Sequence, residues 1–248
     1  MKDFHHPLFD EVYHYEKLIS TSKQATKLIK NETAQGNFLI ISNQQTGGIG
    51  RGKNNWSSPP GGIWLTSALY GLSVSSSLTI FTGICIHKAL CDLFPKIETD
   101  LNIKWPNDIY LNNKKLCGIL ASHNQSNKYH LLGIGLNSNI DKFPDEISET
   151  AISLSNFLGI EVENELIITK IFDNFTEDFP EFVEGNLNSK YYNNHSLLKG
   201  KEIILDTDFD QYAGLCKGIN KSGAIQIELK SGMIQPFYAG SVMDWTDS

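Results

Sequence analysis

The sequence predicts an α+β fold, in which a mixed β-sheet is flanked by helices and followed by a small C-terminal β-barrel. Over residues 1–195, stretches with helical spacing of apolar residues alternate with short apolar runs typical of strands. From His195 onward, only short β-rich runs separated by turn residues remain. With 248 residues, the chain has room for one large domain or two unequal ones. We therefore predict a domain over residues 1–195 and a second one over residues 196–248.

The helices are predicted from apolar periodicity. Residues 21–35 place Ala25, Leu28 and Ile29 on one face, behind residues that suit a helix N-cap. Residues 76–94 are apolar on most sides, which predicts a buried helix, and a shorter periodic stretch covers residues 150–159. A last helix carries an apolar stripe that we interpret as core packing rather than as a cofactor site, and it consists of Ile168, Phe172, Phe175, Phe179 and Phe182.

The strands are predicted from short apolar runs bounded by turn residues. Segment 44–62 is too rich in Gly, Ser, Asn and Pro for either element, and a loop of that length inside a compact domain is usually functional. The predicted strands are residues 37–41, 101–111, 116–121 and 129–136 in the larger part, and 202–206, 212–218, 224–229 and 234–239 in the smaller part.

Charge and composition narrow the class of protein. The chain has 21 Lys and Arg residues against 28 Asp and Glu, and the resulting net charge of −7 argues against nucleic acid as the main partner. Its four cysteines form no C-x-x-C pair, so we predict neither a disulfide framework nor a metal site. The N-terminus lacks the apolar stretch of a signal peptide, and the most apolar segment, residues 78–89, is too short to span a bilayer. We expect a soluble, cytoplasmic protein.

The glycine-rich loop does not match the common nucleotide-binding patterns. Gly47 and Gly52-Lys53 fit the spacing of a phosphate-binding loop, but Asn54 stands where Ser or Thr would coordinate magnesium. The residues that follow include two prolines and two glycines and cannot begin a helix, as such a loop requires. The dinucleotide-binding pattern fails as well, because Lys53 occupies the position of its third glycine.

Four motifs nevertheless follow one another in a specific order, and through them the chain resembles the biotin protein ligases. The resemblance covers nearly the whole chain and is to the short form, without an N-terminal DNA-binding domain. A C-terminal turn, G-I-N-K-S-G-A at residues 218–224, is similar as well. The four motifs are Q-Q-T-G-G-I-G-R-G with W-S-S-P (residues 44–52 and 56–59), K-W-P-N-D (104–108), K-L-C-G-I-L (115–120) and G-I-G-L-N (133–137).

The resemblance implies a class II synthetase-like core with an SH3-like C-terminal barrel, and a reaction in two steps. Biotin and ATP, with Mg²⁺, first give biotinyl-5′-AMP, and a lysine of a biotin carboxyl carrier domain then takes the biotinyl group. The implied partner is the carrier domain of a biotin-dependent carboxylase. Nucleic acid and membranes are not expected partners, and the protein is expected to be a monomer or a homodimer.

The resemblance also assigns roles to individual residues. Trp56 is expected either to pack on adenine or to close the loop, and Asp108 either to steer or deprotonate the carrier lysine or to orient the backbone. The catalytic residues implied are Arg51, Lys115, Asp108 and Lys104. Those implied for biotin are Ser20, Thr21, Ser22, Gln45, Gly48, Gly50, Arg51, Lys115, Gly118, Leu120 and Gly133, and those for ATP and the adenylate are Arg51, Trp56, Asn107, Lys115, Gly135 and Asn137.

The chain departs from the family pattern at several positions: Gly52 and Lys53 stand where Arg-Gly usually follows Arg51, Ser20-Thr21-Ser22 stands in place of Ser-Thr-Asn, and the loop lacks one cation. Ile49 replaces the first loop arginine, so Arg51 is expected to carry most of the loop's positive charge, assisted by Lys53. Three other functions remain open on the sequence alone. They are a lipoate or octanoyl ligase of the same fold, a biotin-sensing DNA-binding repressor, and a non-catalytic biotin-binding protein.

Overall fold

The structure is a computed structural model that describes residues 4–52, 54–72, 77–124 and 128–247. The helices are α1 (Thr21–Lys30), α2 (Leu78–Leu93), α3 (Leu154–Leu158), α4 (Asn164–Val183) and α5 (Ser189–Asn194). The strands are β1 (Glu11–Tyr15), β2 (Phe38–Ser42), β3 (Gln45–Ile49), β4 (Asn55–Ser58), β5 (Ile63–Tyr70), β6 (Leu101–Lys104), β7 (Asp108–Leu111), β8 (Lys114–Asn124), β9 (Tyr129–Leu136), β10 (Lys201–Asp206), β11 (Gln211–Ile219), β12 (Ile225–Leu229), β13 (Ile234–Phe237) and β14 (Ser241–Asp247).

A mixed seven-stranded sheet forms the centre of the molecule, in the order β1-β2-β5-β9-β8-β7-β6. Strands β1 and β2 are parallel, and the other neighbours are antiparallel. Successive side chains of a strand point to opposite faces of the sheet, so β2 contributes to two cores. Phe38 and Ile40 pack with α1, whereas Leu39 and Ile41 belong to the larger core that includes α2 and α4. The predicted α+β class is confirmed.

The face that carries α1 is only partly covered. Helix α1 packs on β2, β5 and β9, and Tyr129 and Leu131 of β9 belong to its apolar cluster. The next positions of β9 on the same face are Gly133 and Gly135, which have no side chain to fill the surface. This end of the face therefore leaves room for a ligand.

The opposite face is closed by α2 and α4, and the predicted aromatic stripe packs there. Phe172 and Phe175 of α4 are buried in the larger core, and Phe182 stacks on Phe81 of α2 with ring centroids 4.3 Å apart. This contact confirms the interpretation of the stripe as core packing. Helices α2 and α4 thus cover this side of the sheet with an apolar core.

The C-terminal strands form a separate five-stranded antiparallel sheet, in the order β13-β12-β11-β10-β14. This confirms the predicted C-terminal β unit, whereas the boundary between residues 195 and 196 stays a prediction. The two sheets touch beside the β6–β7 turn, where Trp105 donates its indole N–H to the carbonyl oxygen of Gly223 at 3.0 Å. The second sheet thus lies next to the K-W-P-N-D motif.

Several predicted elements differ in extent. The run 101–111 is two strands joined by a turn over residues 105–107, and segment 44–62 contains the hairpin β3–β4 instead of an irregular loop. Helix α1 ends at Lys30 rather than at residue 35, because Glu32 has a positive φ of 52° that a helix does not allow. Helix α3 covers only part of 150–159, since Ser153 caps its start and Gly159 ends it with a φ of 72°.

Among the helices and strands of the described residues, six have no counterpart in the sequence prediction: β1, β3, β4, β5, α5 and β14. The pattern over β5 does not indicate a strand, since Thr66 and Ser67 interrupt its apolar run, although both side chains are fully buried. In the described ranges, no helix is both long enough and apolar enough to cross a membrane.

Candidate active site

A cavity of about 440 Å³ lies on the open end of the sheet face, beside α1 and under the hairpin β3–β4. Its volume is in the range of small-molecule sites. The cavity brings together residues that are up to 117 positions apart in the four motifs and the first turn of α1. The residues assigned by resemblance that line it are Ser20, Thr21, Ser22, Gln45, Gly50, Arg51, Trp56, Lys104, Asn107, Asp108, Lys115, Gly118, Leu120, Gly133, Gly135 and Asn137.

One end of the cavity is polar and uncharged. Gln45 accepts from the backbone N–H of Thr21 at 2.8 Å and donates to the Ser58 hydroxyl at 2.8 Å, which fixes the orientation of its amide. The hydroxyls of Thr21 and Ser22 lie 2.8 Å and 3.1 Å from the hydroxyl of Thr66. A connected set of hydroxyl and amide groups holds each member in place. This end can recognise a neutral group that both donates and accepts hydrogen bonds.

The floor of the cavity is made of glycines, and Trp56 lies across them. A Cβ atom at Gly118 would lie 2.7 Å from the Trp56 ring, and one at Gly135 would lie 2.5 Å from its indole nitrogen. Both distances are far below van der Waals contact, so the indole needs glycine at both positions. The indole N–H is buried and has no hydrogen-bond partner among the described residues. Trp56 therefore packs its ring against the glycines of β8 and β9 and keeps its indole N–H without a partner among the described residues, and both roles expected for it stay predictions.

The other end of the cavity is cationic. Arg51, Lys104 and Lys115 line it together with a single carboxylate, that of Asp108, among the described lining residues. An excess of positive charge is notable in a chain whose net charge is −7. Such a cluster attracts anionic groups and lowers the energy of charge that builds up between them.

Lys104 is held in place by aromatic rings and a carbonyl group. Its ammonium lies 4.1 Å from the centre of the Trp245 ring and 5.3 Å from that of Tyr110, and it donates to the carbonyl oxygen of Val242 at 3.4 Å. Burial lowers the pKa of Lys104 to about 8, although the nearby Asp108 carboxylate favours the charged form. Lys104 is thus mostly protonated at pH 7 and loses its charge in mildly basic solution.

Lys115 and Asp108 form an ion pair at the centre of the cationic end. The ammonium lies 2.8 Å from Oδ2 of Asp108, and the backbone of Lys115 is fixed by hydrogen bonds with Thr150 (2.7 Å) and Ile152 (3.2 Å). The second carboxylate oxygen, Oδ1 of Asp108, is buried and has no hydrogen-bond partner among the described residues. A buried acceptor without a partner costs free energy unless a ligand supplies a donor. Asp108 therefore lines the cavity with one carboxylate oxygen in an ion pair and the other buried without a partner among the described residues.

Asn107 and Asn137 hold the strand that carries Lys115. The amide nitrogen of Asn107 donates to the carbonyl oxygen of Ile119 at 2.8 Å, and that of Asn137 donates to the carbonyl oxygen of Lys115 at 3.3 Å. Asn137 is buried. The two side chains thus brace β8 with their N–H groups, and recognition of adenine by Asn137 stays a prediction.

Among the described residues assigned from the sequence, Gly48 alone does not line the cavity. Gly48 lies inside the hairpin, where a Cβ would be 2.4 Å from the carbonyl oxygen of Trp56, so its missing side chain serves the pairing of β3 with β4. Lys53 lies outside the described residues. The binding roles of all the assigned residues stay predictions.

The cavity also contains residues that the motifs did not indicate. Phe143 and Ile147 form part of its wall beside the Lys115 backbone, and Ser241 and Val242 reach it from the C-terminal sheet. Thr66 lies just behind the polar end and joins Thr21 to Ser22. No spacing pattern marks these positions, and only the alternation of the buried strand β5 would have placed Thr66 on the same face as α1.

The donors present suit magnesium that arrives with a nucleotide. In the part of the chain that the structure describes, no group of three or more His, Cys, Asp or Glu side chains is placed to hold a metal ion. Mg²⁺ is commonly bound by substrate phosphates together with water and few protein carboxylates. The described residues thus suit magnesium that is bound mainly by a ligand's phosphates, with Asp108 as the carboxylate in the cationic end.

The fold and the cavity together form a pocket on one face of the central sheet. This pocket suits a small molecule that has a neutral, hydrogen-bonding group at one end and anionic groups at the other. The chain belongs to the biotin/lipoate A/B protein ligase family, whose model matches residues 15–139 and so includes all four motifs.

Individual relatives agree with this membership. The bifunctional ligase/repressor BirA of Bacillus subtilis is 28% identical over 242 residues, which cover 93% of this chain and 73% of the relative. The biotin–[acetyl-CoA-carboxylase] ligase of Paracoccus denitrificans is 25% identical over 86% of this chain and 92% of its own length. Among solved structures, a biotin protein ligase from Aquifex aeolicus in complex with biotin and ATP has a TM-score of 0.84 at 23% identity, over 97% of this chain and 100% of that one. The fold is therefore shared along almost the entire chain.

Proposed function

We propose that this protein is a biotin protein ligase, which uses ATP to attach biotin to a lysine of a biotin carboxyl carrier domain through biotinyl-5′-AMP. The observation that carries the proposal is the two-ended cavity, with a neutral hydroxyl and amide set at one end and three cations at the other. Biotin has a neutral ureido ring at one end and a carboxylate at the other, so the cavity matches its polarity. ATP supplies the additional anionic groups.

In the first step, the biotin carboxylate attacks the α-phosphorus of ATP, and pyrophosphate leaves. Two like charges about 4 Å apart repel by about 4 kcal/mol at an effective dielectric constant of 20. Arg51 and Lys115 offset this repulsion, and Mg²⁺ on the phosphates supplies further positive charge. The residues hold both reactants in the geometry of attack, so no nucleophilic side chain is required.

In the second step, the amine of the carrier lysine attacks the carbonyl carbon of the mixed anhydride, and AMP leaves. The attacking amine must give up a proton. The free Oδ1 of Asp108 accepts this proton, while Oδ2 stays paired with Lys115 at 2.8 Å. The same carboxylate thus orients a cation for the first step and receives a proton in the second.

The carrier belongs to a biotin-dependent carboxylase, because relatives such as the Paracoccus denitrificans protein are named for their action on acetyl-CoA carboxylase. We place the reaction in the cytoplasm, where ATP is available.

Exchange of labelled pyrophosphate into ATP tests the first step and the choice of acid. Biotin, lipoate and octanoate are supplied in parallel, since the family includes ligases for both biotin and lipoate. We expect exchange with biotin and exchange at least about a hundredfold slower with the two fatty acids, which leave the groups around Gln45 without partners. Faster exchange with lipoate or octanoate would assign the chain to the other branch of the family, and no exchange with any acid would make it a binding protein.

A further inference from the structure

The last strand of the chain, β14, forms part of the wall at the cationic end of the cavity. Arg51 donates a hydrogen bond through Nη2 to the Ser241 hydroxyl, across 190 positions of sequence. The next residue, Val242, accepts from the ammonium of Lys104, and Trp245 places its ring against the same ammonium. Two of the three cations of the cavity are therefore held by one strand of the C-terminal sheet.

A β-bulge explains how Val242 and Trp245, which are three positions apart, face the same way. Leu205 of β10 pairs with Val242, but Ile204 pairs with Asp244, so Met243 is the extra residue of the bulge. Because side chains alternate along a strand, one inserted residue is what brings Val242 and Trp245 to the same side. Met243 turns outward and is 61% exposed. The bulge thus places the Trp245 ring, which contacts Lys104, on the same side of β14 as the buried Val242 side chain, whereas Val242 itself contacts Lys104 through its backbone carbonyl.

The chemistry of the Ser241 contact suits an arginine that must bind a phosphate. A free arginine side chain samples many rotamers. A hydrogen bond that fixes one of its N–H groups reduces the conformational entropy that is lost when the other N–H groups bind a ligand. A carboxylate at this place would neutralise Arg51 and compete with the phosphate. A hydroxyl accepts the hydrogen bond without supplying a charge, so the guanidinium stays available to an anion.

We propose that Ser241 is a positioning residue for Arg51, through which the C-terminal sheet sets how long the enzyme retains its acyl-adenylate. The inference rests on the proposed function, since it concerns the binding of biotinyl-5′-AMP. Ser241 does not touch the reacting atoms and acts through the arginine.

The test is the rate at which added biotinyl-5′-AMP dissociates from the full-length protein. We expect Ser241→Ala to raise this rate about three- to tenfold, the range for one lost hydrogen bond. Ser241→Thr keeps the hydroxyl and should restore slow release. The matched control is Thr246→Ala, which removes an exposed hydroxyl from the same strand and should leave the rate unchanged. The melting temperatures of the two alanine variants should be equal, and a difference in release rate between them then does not come from a difference in folding stability.

A double-mutant cycle separates action through Arg51 from a general effect on the wall. In an Arg51→Ala background, Ser241→Ala should cause no further acceleration of release. If it accelerates release to the same extent in both backgrounds, or if it behaves like Thr246→Ala in the parent chain, the inference is wrong. Failure of the parent chain to form biotinyl-5′-AMP from biotin and ATP would instead contradict the proposed function.

Discussion

Replacing Asp108 by Asn separates the two half-reactions, because the two carboxylate oxygens have different surroundings. Oδ2 pairs with Lys115 at 2.8 Å, whereas Oδ1 is buried without a partner among the described residues. Asn keeps the shape of the side chain and can still accept a hydrogen bond from Lys115. It removes the negative charge and the ability to take up a proton. We therefore expect transfer to the carrier to suffer more than formation of the adenylate.

The size of each effect follows from the geometry. The Lys115 side chain is 33% exposed and that of Asp108 is 15% exposed, so solvent screens the pair and its loss costs about 1 kcal/mol, or roughly fivefold in adenylate formation. A general base contributes about 10²- to 10⁴-fold to a proton transfer. Transfer should therefore fall at least about tenfold more than adenylate formation.

The assay measures both steps on one preparation. Pyrophosphate exchange reports the first step, and single-turnover transfer from preformed biotinyl-5′-AMP to a carrier domain reports the second. Asp208→Asn, which changes an exposed carboxylate in the turn between β10 and β11, is the control and should leave both rates unchanged. An equal decrease of both rates in Asp108→Asn would refute the role as base and leave Asp108 with the orientation of Lys115 alone.

Three further changes test other parts of the site. Gly135→Ala should displace Trp56 by about 1 Å, because the new Cβ would lie 2.5 Å from its indole nitrogen. We expect the KM for ATP to rise about tenfold while the melting temperature stays nearly unchanged. An unaltered KM would contradict the packing of Trp56 on Gly135 as part of the ATP site. The kcat/KM for ATP should fall above about pH 8, because Lys104 then loses its charge. The Lys104→Arg variant should move this fall to higher pH. Identical pH profiles for the two proteins would exclude Lys104 as the titrating group. Arg51→Gly should still form adenylate but release it about tenfold to a hundredfold faster, so that biotin label appears on an unrelated protein such as albumin. Normal retention of the adenylate without such labelling would refute the role of Arg51 in binding its phosphate.

The motifs that line the site were identified through the resemblance to a ligase family, and some of their residue types are also unusual for their positions. A Trp-Pro pair next to Asn and Asp in an apolar run, and glycines at alternate positions of a strand, are costly unless they serve a contact. In the structure, Gly118 and Gly135 serve the packing of Trp56, and Gly133 lies beside Ser22. Alternation along β9 places Gly133 and Gly135 on one face, whereas the position of Gly118 beside Gly135 depends on the pairing of β8 with β9.

The remaining features depend on long-range contacts that no local pattern encodes. Thr66 interrupts an apolar run, which obscured the strand that places it behind the polar end of the cavity. Ser241 and Trp245 reach the site only because the C-terminal sheet packs beside the β6–β7 turn. A hydroxyl in a short terminal strand gives no signal of its own, so its contact with Arg51 required the structure.

The most direct test of the central claim is the mass of a biotin carboxyl carrier domain after incubation with this protein, biotin, ATP and Mg²⁺. We expect a single added biotinyl group on one lysine of the carrier, only when ATP is present, and none on a carrier in which that lysine is replaced by Arg. An unmodified carrier, or a carrier that gains a lipoyl or octanoyl group when those acids compete with biotin, would contradict the claim that the two-ended cavity is the site of a biotin protein ligase.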